Sequence, residues 1–216
     1  MSGVWASQRS LAKLSWAELM ALDPAKFGPD QVFYVSDLGV GGSFWYSSGT
    51  RWRAQGGAVW LANLASDVAH DGTVSQLKLA ETSLPVKAWQ NGDILETHVS
   101  RQASAGGSTA SVVQRLGTAG STADTNINNM SQPAGSNLNA SWFKRHKRLS
   151  ATSIQMLDVT GAGGLGGSST ANLLASTVAN LDSNATKVGL YLAEGTGGVR
   201  ICTLKNYALR LFTCGA

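Results

Sequence analysis

Alternation of apolar and polar positions is clearest between residues 44 and 53. In an extended strand successive side chains point to opposite faces, so Phe44 and Tyr46 share one face and Trp45 takes the other. Past Ser48-Gly49, Thr50 and Trp52 alternate with Arg51 and Arg53, which predicts a second strand with one aromatic and one basic face. Gly49 supplies the positive φ of a tight hairpin turn, and Gly39, Gly41 and Gly42 give the preceding loop the same freedom. An apolar run upstream, Val32, Phe33, Tyr34 and Val35, predicts a strand over 31–36. Ser15-Trp16-Ala17-Glu18 is a capping box, with Leu14 and Leu19 at the spacing of a hydrophobic staple. A short helix is therefore expected from Trp16 to about Leu22, ended by the extended geometry that Pro24 imposes on the residue before it.

Residues 58–69 are apolar enough to be either a strand or a short helix. A turn at 70–73 places a boundary there, giving an N-terminal module, 1–72, and a head, 75–216. Short, roughly alternating segments follow, with candidate strands at 75–80, 94–102, 108–116, 149–159, 173–179, 187–193, 199–204 and 207–213. Asn91-Gly92-Asp93 and Asp182-Ser183-Asn184 read as turn tips. Many strands with no long helix predict a mainly β chain, its C-terminal part an antiparallel β-sandwich. The polar stretch 118–140 is expected outside the core, either as a recognition loop or as a solvated connection.

Composition narrows this picture. Charged residues are 14% of the 216, below the usual share, whereas glycine is abundant at 25. With 43% apolar residues spread along the chain, disorder is excluded. The net charge of +4 comes largely from one run, Lys144-Arg145-His146-Lys147-Arg148. That run reads as a solvated or guarded strand face, or else as a site for phosphate or acidic glycan with Trp142 and Phe143 as stacking surfaces. The chain lacks the basic stripe of a nucleic-acid binder. No window approaches the about 20 apolar residues of a membrane span, and no signal-peptide core is present, so synthesis in the cytoplasm without membrane insertion is expected. Two cysteines, Cys202 and Cys214, are too few for a disulfide framework and read as buried thiols.

Residues 37–53, DLGVGGSFWYSSGTRWR, resemble a short module of many tailed-bacteriophage virion proteins, especially tail-fibre and receptor-binding proteins, in which a "DxGvgGSlW.SdGtrWr" pattern precedes a β-rich head. The segment VVQRLGTAGSTAD at 112–124, with SATSIQ at 150–155, is similar to the jelly-roll heads of phage fibres, which are usually trimeric. The resemblance implies a jelly-roll-like head and a virion (tail) location. It also implies a homotrimer that contacts other tail or virion proteins through the N-terminal module and a host-surface glycan or protein through the head. On this reading Asp37, Gly39, Gly42, Trp45, Gly49 and Trp52 serve structure and virion docking. Trp142, Phe143, Asn126, Asn128 and Asn129 are the candidate receptor contacts. The competing role is a structural virion protein, such as a capsid decoration or baseplate component, without a host receptor.

Catalytic patterns are weak. Residues 161–166 satisfy GxGxxG, but a dinucleotide site needs a βαβ context that the chain does not offer. His70, His98 and His146 are far apart, with no metal-ligand spacing among them. No G-x-S-x-G elbow and no marked carboxylate pair is present. The expectation is a binding protein without enzymatic activity or cofactor.

Overall fold

The computed structural model describes residues 12–64, 67–70, 76–103, 110–132, 138–157, 161–162, 175–194 and 202–214. The chain divides into two compact units, Met1–Gly56 and Gly57–Ala216.

The N-terminal unit runs β1 (Lys13–Leu14), α1 (Trp16–Ala21), a 3-10 turn (Pro24–Lys26), β2 (Val32–Val35), β3 (Ser43–Ser47) and β4 (Trp52–Ala54). Its sheet has the order β1-β2-β3-β4, parallel between the first pair and antiparallel elsewhere. The capping box forms as expected: the Glu18 amide donates to Ser15 Oγ at 3.2 Å and the Ser15 amide to Glu18 Oε2 at 2.7 Å. Asp37 Oδ1 accepts from the Trp16 amide at 2.5 Å, so a carboxylate from the next loop satisfies another open N–H of the helix start. Trp16 and Trp45 are both buried, with ring centroids 4.9 Å apart. Trp52 packs against Phe27 at 5.6 Å and Phe33 at 5.4 Å. A small unit thus gets its core from rings that each bury a large area. Gly42 is required twice over: its φ is +84°, and an added Cβ would lie 2.3 Å from the Tyr34 hydroxyl.

The larger unit contains β5 (Ala58–Asn63), β6 (Val68–His70), β7 (Gln76–Leu84), β8 (Ile94–Ala103), β9 (Ala110–Gly117), β10 (Thr125–Gln132), β11 (Leu138–Ser150), β12 (Ser153–Met156), β13 (Gly161–Ala162), β14 (Ala175–Thr177), β15 (Thr186–Glu194) and β16 (Cys202–Phe212). One sheet has the order β10-β9-β15-β7; the other runs β14-β12-β11-β8-β16-β5, with β13 on β11 and β6 on β16. Without the short β6, β12, β13 and β14, eight principal strands remain. Counted along the chain, the larger sheet then orders them first, eighth, third, sixth, and the smaller sheet second, seventh, fourth, fifth. Every pairing is antiparallel. This is the double Greek-key order of a jelly roll.

One core joins the two sheets. Val112, Leu116, Val188, Leu190 and Leu192 from the smaller sheet cluster with Leu95, Val99, Leu204, Leu209 and Leu211 from the larger. Burial of each such side chain contributes about 1.5–3 kcal/mol. Polar ties cross the same space: Gln114 Nε2 donates to Thr97 Oγ1 at 2.8 Å, and the Thr82 and Tyr207 hydroxyls meet at 3.2 Å. Burial pushes the Tyr207 phenol up to about 12, against the hydrogen bond from Thr82.

Several expectations are corrected. The boundary falls at Gly56/Gly57 rather than at 72–75, because the apolar segment after it is a strand, β5, paired to β16. The stretch 118–140 is not all loop: β10 lies within it, with Ile127 and Met130 buried in the core. Of the candidate strand 149–159, residues 149–156 are the end of a much longer β11, a tight turn, and then β12, and residues 158–159 lie outside the described residues. Residues 202–204 and 207–212 of the two expected C-terminal strands belong to one strand, β16, broken only by a register shift between Leu204 and Asn206, and residues 199–201 lie outside the described residues. Cys214 is exposed rather than buried. Of the GxGxxG stretch, Gly161 and Ala162 pair antiparallel to β11, and the remainder lies outside the described residues, as do residues 71–73 of the expected turn.

Candidate binding face

Alternation along β11 divides the basic run into two populations. Ala140, Lys144, His146 and Arg148 are buried on the face toward the smaller sheet, while Phe143, Arg145 and Lys147 stand on the outer face. The run is therefore not a single solvated face.

Inside, Arg148 is tied down and His146 is held neutral. Arg148 Nη2 pairs with Asp182 Oδ2 at 2.8 Å, its Nε donates to the Ser150 carbonyl at 3.0 Å, and its Nη1 donates to the Trp89 carbonyl. His146 Nε2 lies 3.2 Å from the Ile127 carbonyl on β10. A carbonyl only accepts, so the neutral ring carries its proton on Nε2. Burial drives the His146 pKa down to about 4; the Ile127 carbonyl opposes this and the Lys144 charge adds to it. Trp142 also turns inward, against the core, with the Arg101 guanidinium 5.2 Å from its ring.

Outside, strand register builds a row. Trp60 on β5 is opposite Arg210 on β16, Arg210 is opposite Glu96 on β8, and Glu96 is opposite Arg145 on β11. At the usual separation between strands this row is roughly 14 Å long. Trp60 is 46% exposed. The Arg210 guanidinium lies 5.0 Å from the Trp60 ring and 4.5 Å from the Phe212 ring, a double cation–π contact. Glu96 Oε1 is 3.1 Å from His98 Nε2. In the next row His98 meets Phe143 edge-on, centroids 4.5 Å apart, and Arg145 lies 5.5 Å from the Phe143 ring. Among the described residues of these strands, Arg145, Lys147 and Arg210 face outward against one carboxylate, Glu96, so this face is cationic.

The candidate receptor residues do not converge. Trp142 and Phe143, adjacent on β11, point to opposite faces, and only Phe143 belongs to the outer array. Asn126 and Asn129 are exposed on β10, but Asn128 is buried, and its Nδ2 has no hydrogen-bond partner among the described residues. Asn126 Oδ1 is occupied by the Asn128 amide at 3.1 Å, where the register shifts. In the N-terminal unit Trp45 and Trp52 form the core, Asp37 caps the helix, and Gly39, Gly42 and Gly49 have φ of +94°, +84° and +90°. Among the described residues, the exposed large apolar side chains of that unit are instead Val40 and Phe44. Trp60, Glu96, His98, Arg210 and Phe212 were not singled out from the sequence. The period-2 pattern Leu209, Leu211 against Arg210, Phe212 marks the outward pair, but the register that sets Trp60 beside Arg210 joins strands far apart in the chain.

Among the described residues, no group of three or more His, Cys, Asp or Glu is placed to hold a metal ion. No helix there is long and apolar enough to cross a membrane. What defines the molecule is a jelly roll with a cationic, aromatic outer sheet face, preceded by an aromatic hairpin unit. No protein-family model and no curated protein matches the chain. Among solved structures, one described as "Structure of infectious bursal disease virus Gx strain" aligns with a TM-score of 0.34 and 10% identity over 74% of this chain and 32% of that one. The chain thus spans about a third of that chain's length, and a likeness at this score carries no argument. The jelly-roll assignment rests on strand order alone.

Proposed function

We propose that this chain is a virion protein of a tailed bacteriophage, a tail-fibre or receptor-binding protein whose jelly-roll head attaches the particle to the host surface. The observation that carries this reading is the outer face of the larger sheet, where an exposed Trp60, a ring-held Arg210 and a half-buried Phe143 share one cationic surface. Solvent-facing aromatic and arginine side chains of this kind are the residue types that anchor recognition. The resemblance of residues 37–53 to phage virion modules supports the setting, and those residues belong to a compact unit separate from the head, Met1–Gly56, suited to docking on another virion protein. The head acts as a homotrimer, in which repeated weak contacts are multiplied by avidity. It works by binding, without catalysis, cofactor, nucleic acid or membrane insertion.

The test is competition for adsorption. Purified full-length chain, with its oligomeric state measured by light scattering, is added to host cells before phage challenge. A dose-dependent loss of plaques, from a trimer, is the expected result. No loss from a well-folded trimer would overturn the receptor role and favour a structural virion component that contacts only other phage proteins.

A further inference from the structure

We infer that the row Trp60–Arg210–Glu96–Arg145 is a binding site for an anionic polysaccharide, its carboxylate held by Arg210 and a sugar ring laid on Trp60. As the receptor chemistry of the head, the inference rests on the proposed host-binding role.

Three features of the row select this ligand. First, Arg210 makes no hydrogen bond or ion pair among the described residues; its contacts are the two rings of Trp60 and Phe212. These ring contacts leave its N–H fork unspent, which suits a two-point contact with a carboxylate. Second, Trp60 offers an apolar face on the edge strand β5, being nearly half exposed. Such a surface suits a flat ring with C–H groups on one side better than a peptide side chain that needs a pocket. Third, polar groups continue along the same outer face: His98, 3.1 Å from the largely buried Glu96, and, four residues along the strands from the row, the Ser100 and Ser141 hydroxyls, which meet each other at 2.8 Å across β8 and β11. They can exchange hydrogen bonds with sugar hydroxyls. At roughly 14 Å the row spans several sugar rings rather than one ion. Charge complementarity sets the sign of the ligand, since among the described residues of these paired strands Glu96 is the single carboxylate beside Arg145, Lys147 and Arg210.

Binding is measured with the full-length chain against three carboxylated polysaccharides: polygalacturonate, polysialic acid and hyaluronan. Dextran serves as a sugar without charge and polyglutamate as a carboxylate without sugar. The expected result is binding to at least one acidic polysaccharide that is weakened by salt and about tenfold or more stronger than to either control, as one charged hydrogen-bonded pair contributes. Arg210→Gln and Trp60→Ala should each weaken it by about tenfold at an unchanged urea midpoint, whereas Lys26→Gln, which removes the same charge from the N-terminal unit, should not. No binding to any of the three, or equal binding to polyglutamate, overturns the site. So does wild-type affinity in both row variants. If the chain blocks adsorption and Arg210→Gln blocks it equally well, the site fails while the host-binding role stands. If polysaccharide binds through the row and adsorption is not blocked, the site stands and the host-binding role fails.

Discussion

The two faces of the larger sheet carry many of the same residue types and put them to opposite uses. On β11 the inward Lys144, His146 and Arg148 alternate with the outward Arg145 and Lys147. Inside, Arg148 is fixed by two carbonyls and Asp182, and His146 stays neutral against the Ile127 carbonyl. Arg148 ties β11 to the segments carrying Trp89 and Asp182, and His146 ties it to β10 of the smaller sheet, at the desolvation cost that buried charge carries. Outside, Arg210 spends its contacts on aromatic rings and keeps its hydrogen-bonding edge for something else. A basic residue therefore has no function until its face is known, and in a strand that is settled by parity.

The sharpest contrast comes from neighbours. Leu209 is fully buried on the inward face and Arg210 lies on the outward one. Leu209→Ala is expected to lower stability by about 2–5 kcal/mol, through lost transfer energy and the cavity left behind. Urea unfolding of the full chain measures this, and a cost below about 1 kcal/mol, a single methylene's worth, would mean that the two sheets do not share one tightly packed core.

The inward histidine sharpens the comparison through pH. Its pKa in the folded chain is depressed to about 4, against an unfolded value near 6.5. The unfolded chain then takes up the proton first, so this stability is present above about pH 6.5 and is lost as pH falls toward about 4. Between pH 7 and pH 5 the loss attributable to His146 is about 2 kcal/mol. His146→Gln should flatten that part of the pH–stability curve, and an unchanged slope would place the titration elsewhere. Tyr207 acts at the other end: its phenol is raised to about 12, so its share is present below about pH 10 and is lost as pH rises from there.

The outward cations should matter least to folding. Arg145→Gln and Lys147→Gln are expected to shift stability by no more than about 0.5 kcal/mol, as is usual for surface substitutions. Thermal unfolding compares them with the inward set, and a large loss in either would erase the distinction between the faces.

Legibility in the sequence followed the reach of each interaction. The hairpin of β3 and β4 was readable because its evidence is local: ring alternation through Trp45 and Trp52, and a glycine with positive φ between them. The capping box at Ser15 was readable for the same reason. The strand β10 was hidden because Asn126, Asn128 and Asn129 favour turns over strands, and the register shift at Asn126/Asn128 breaks the alternation that Ile127 and Met130 would otherwise display. The basic run misled for a different reason. Its period-2 pattern continues from Ala140 and Trp142, but buried lysine and arginine are rare enough that the exposed reading came first. The row at Trp60 was out of reach, since it depends on which of the distant strands pair and in what register.

Residue-resolved acetylation of the native full-length chain tests the division of β11 most directly, because Lys144 and Lys147 differ by three positions in sequence and by face in the fold. Lys147, exposed on the outer face, should react readily, and Lys144, 2% exposed between the sheets, should react only when the chain is unfolded. Equal rates for the two lysines in the native chain would contradict the placement of the basic run, and with it the outer face on which the binding row is built.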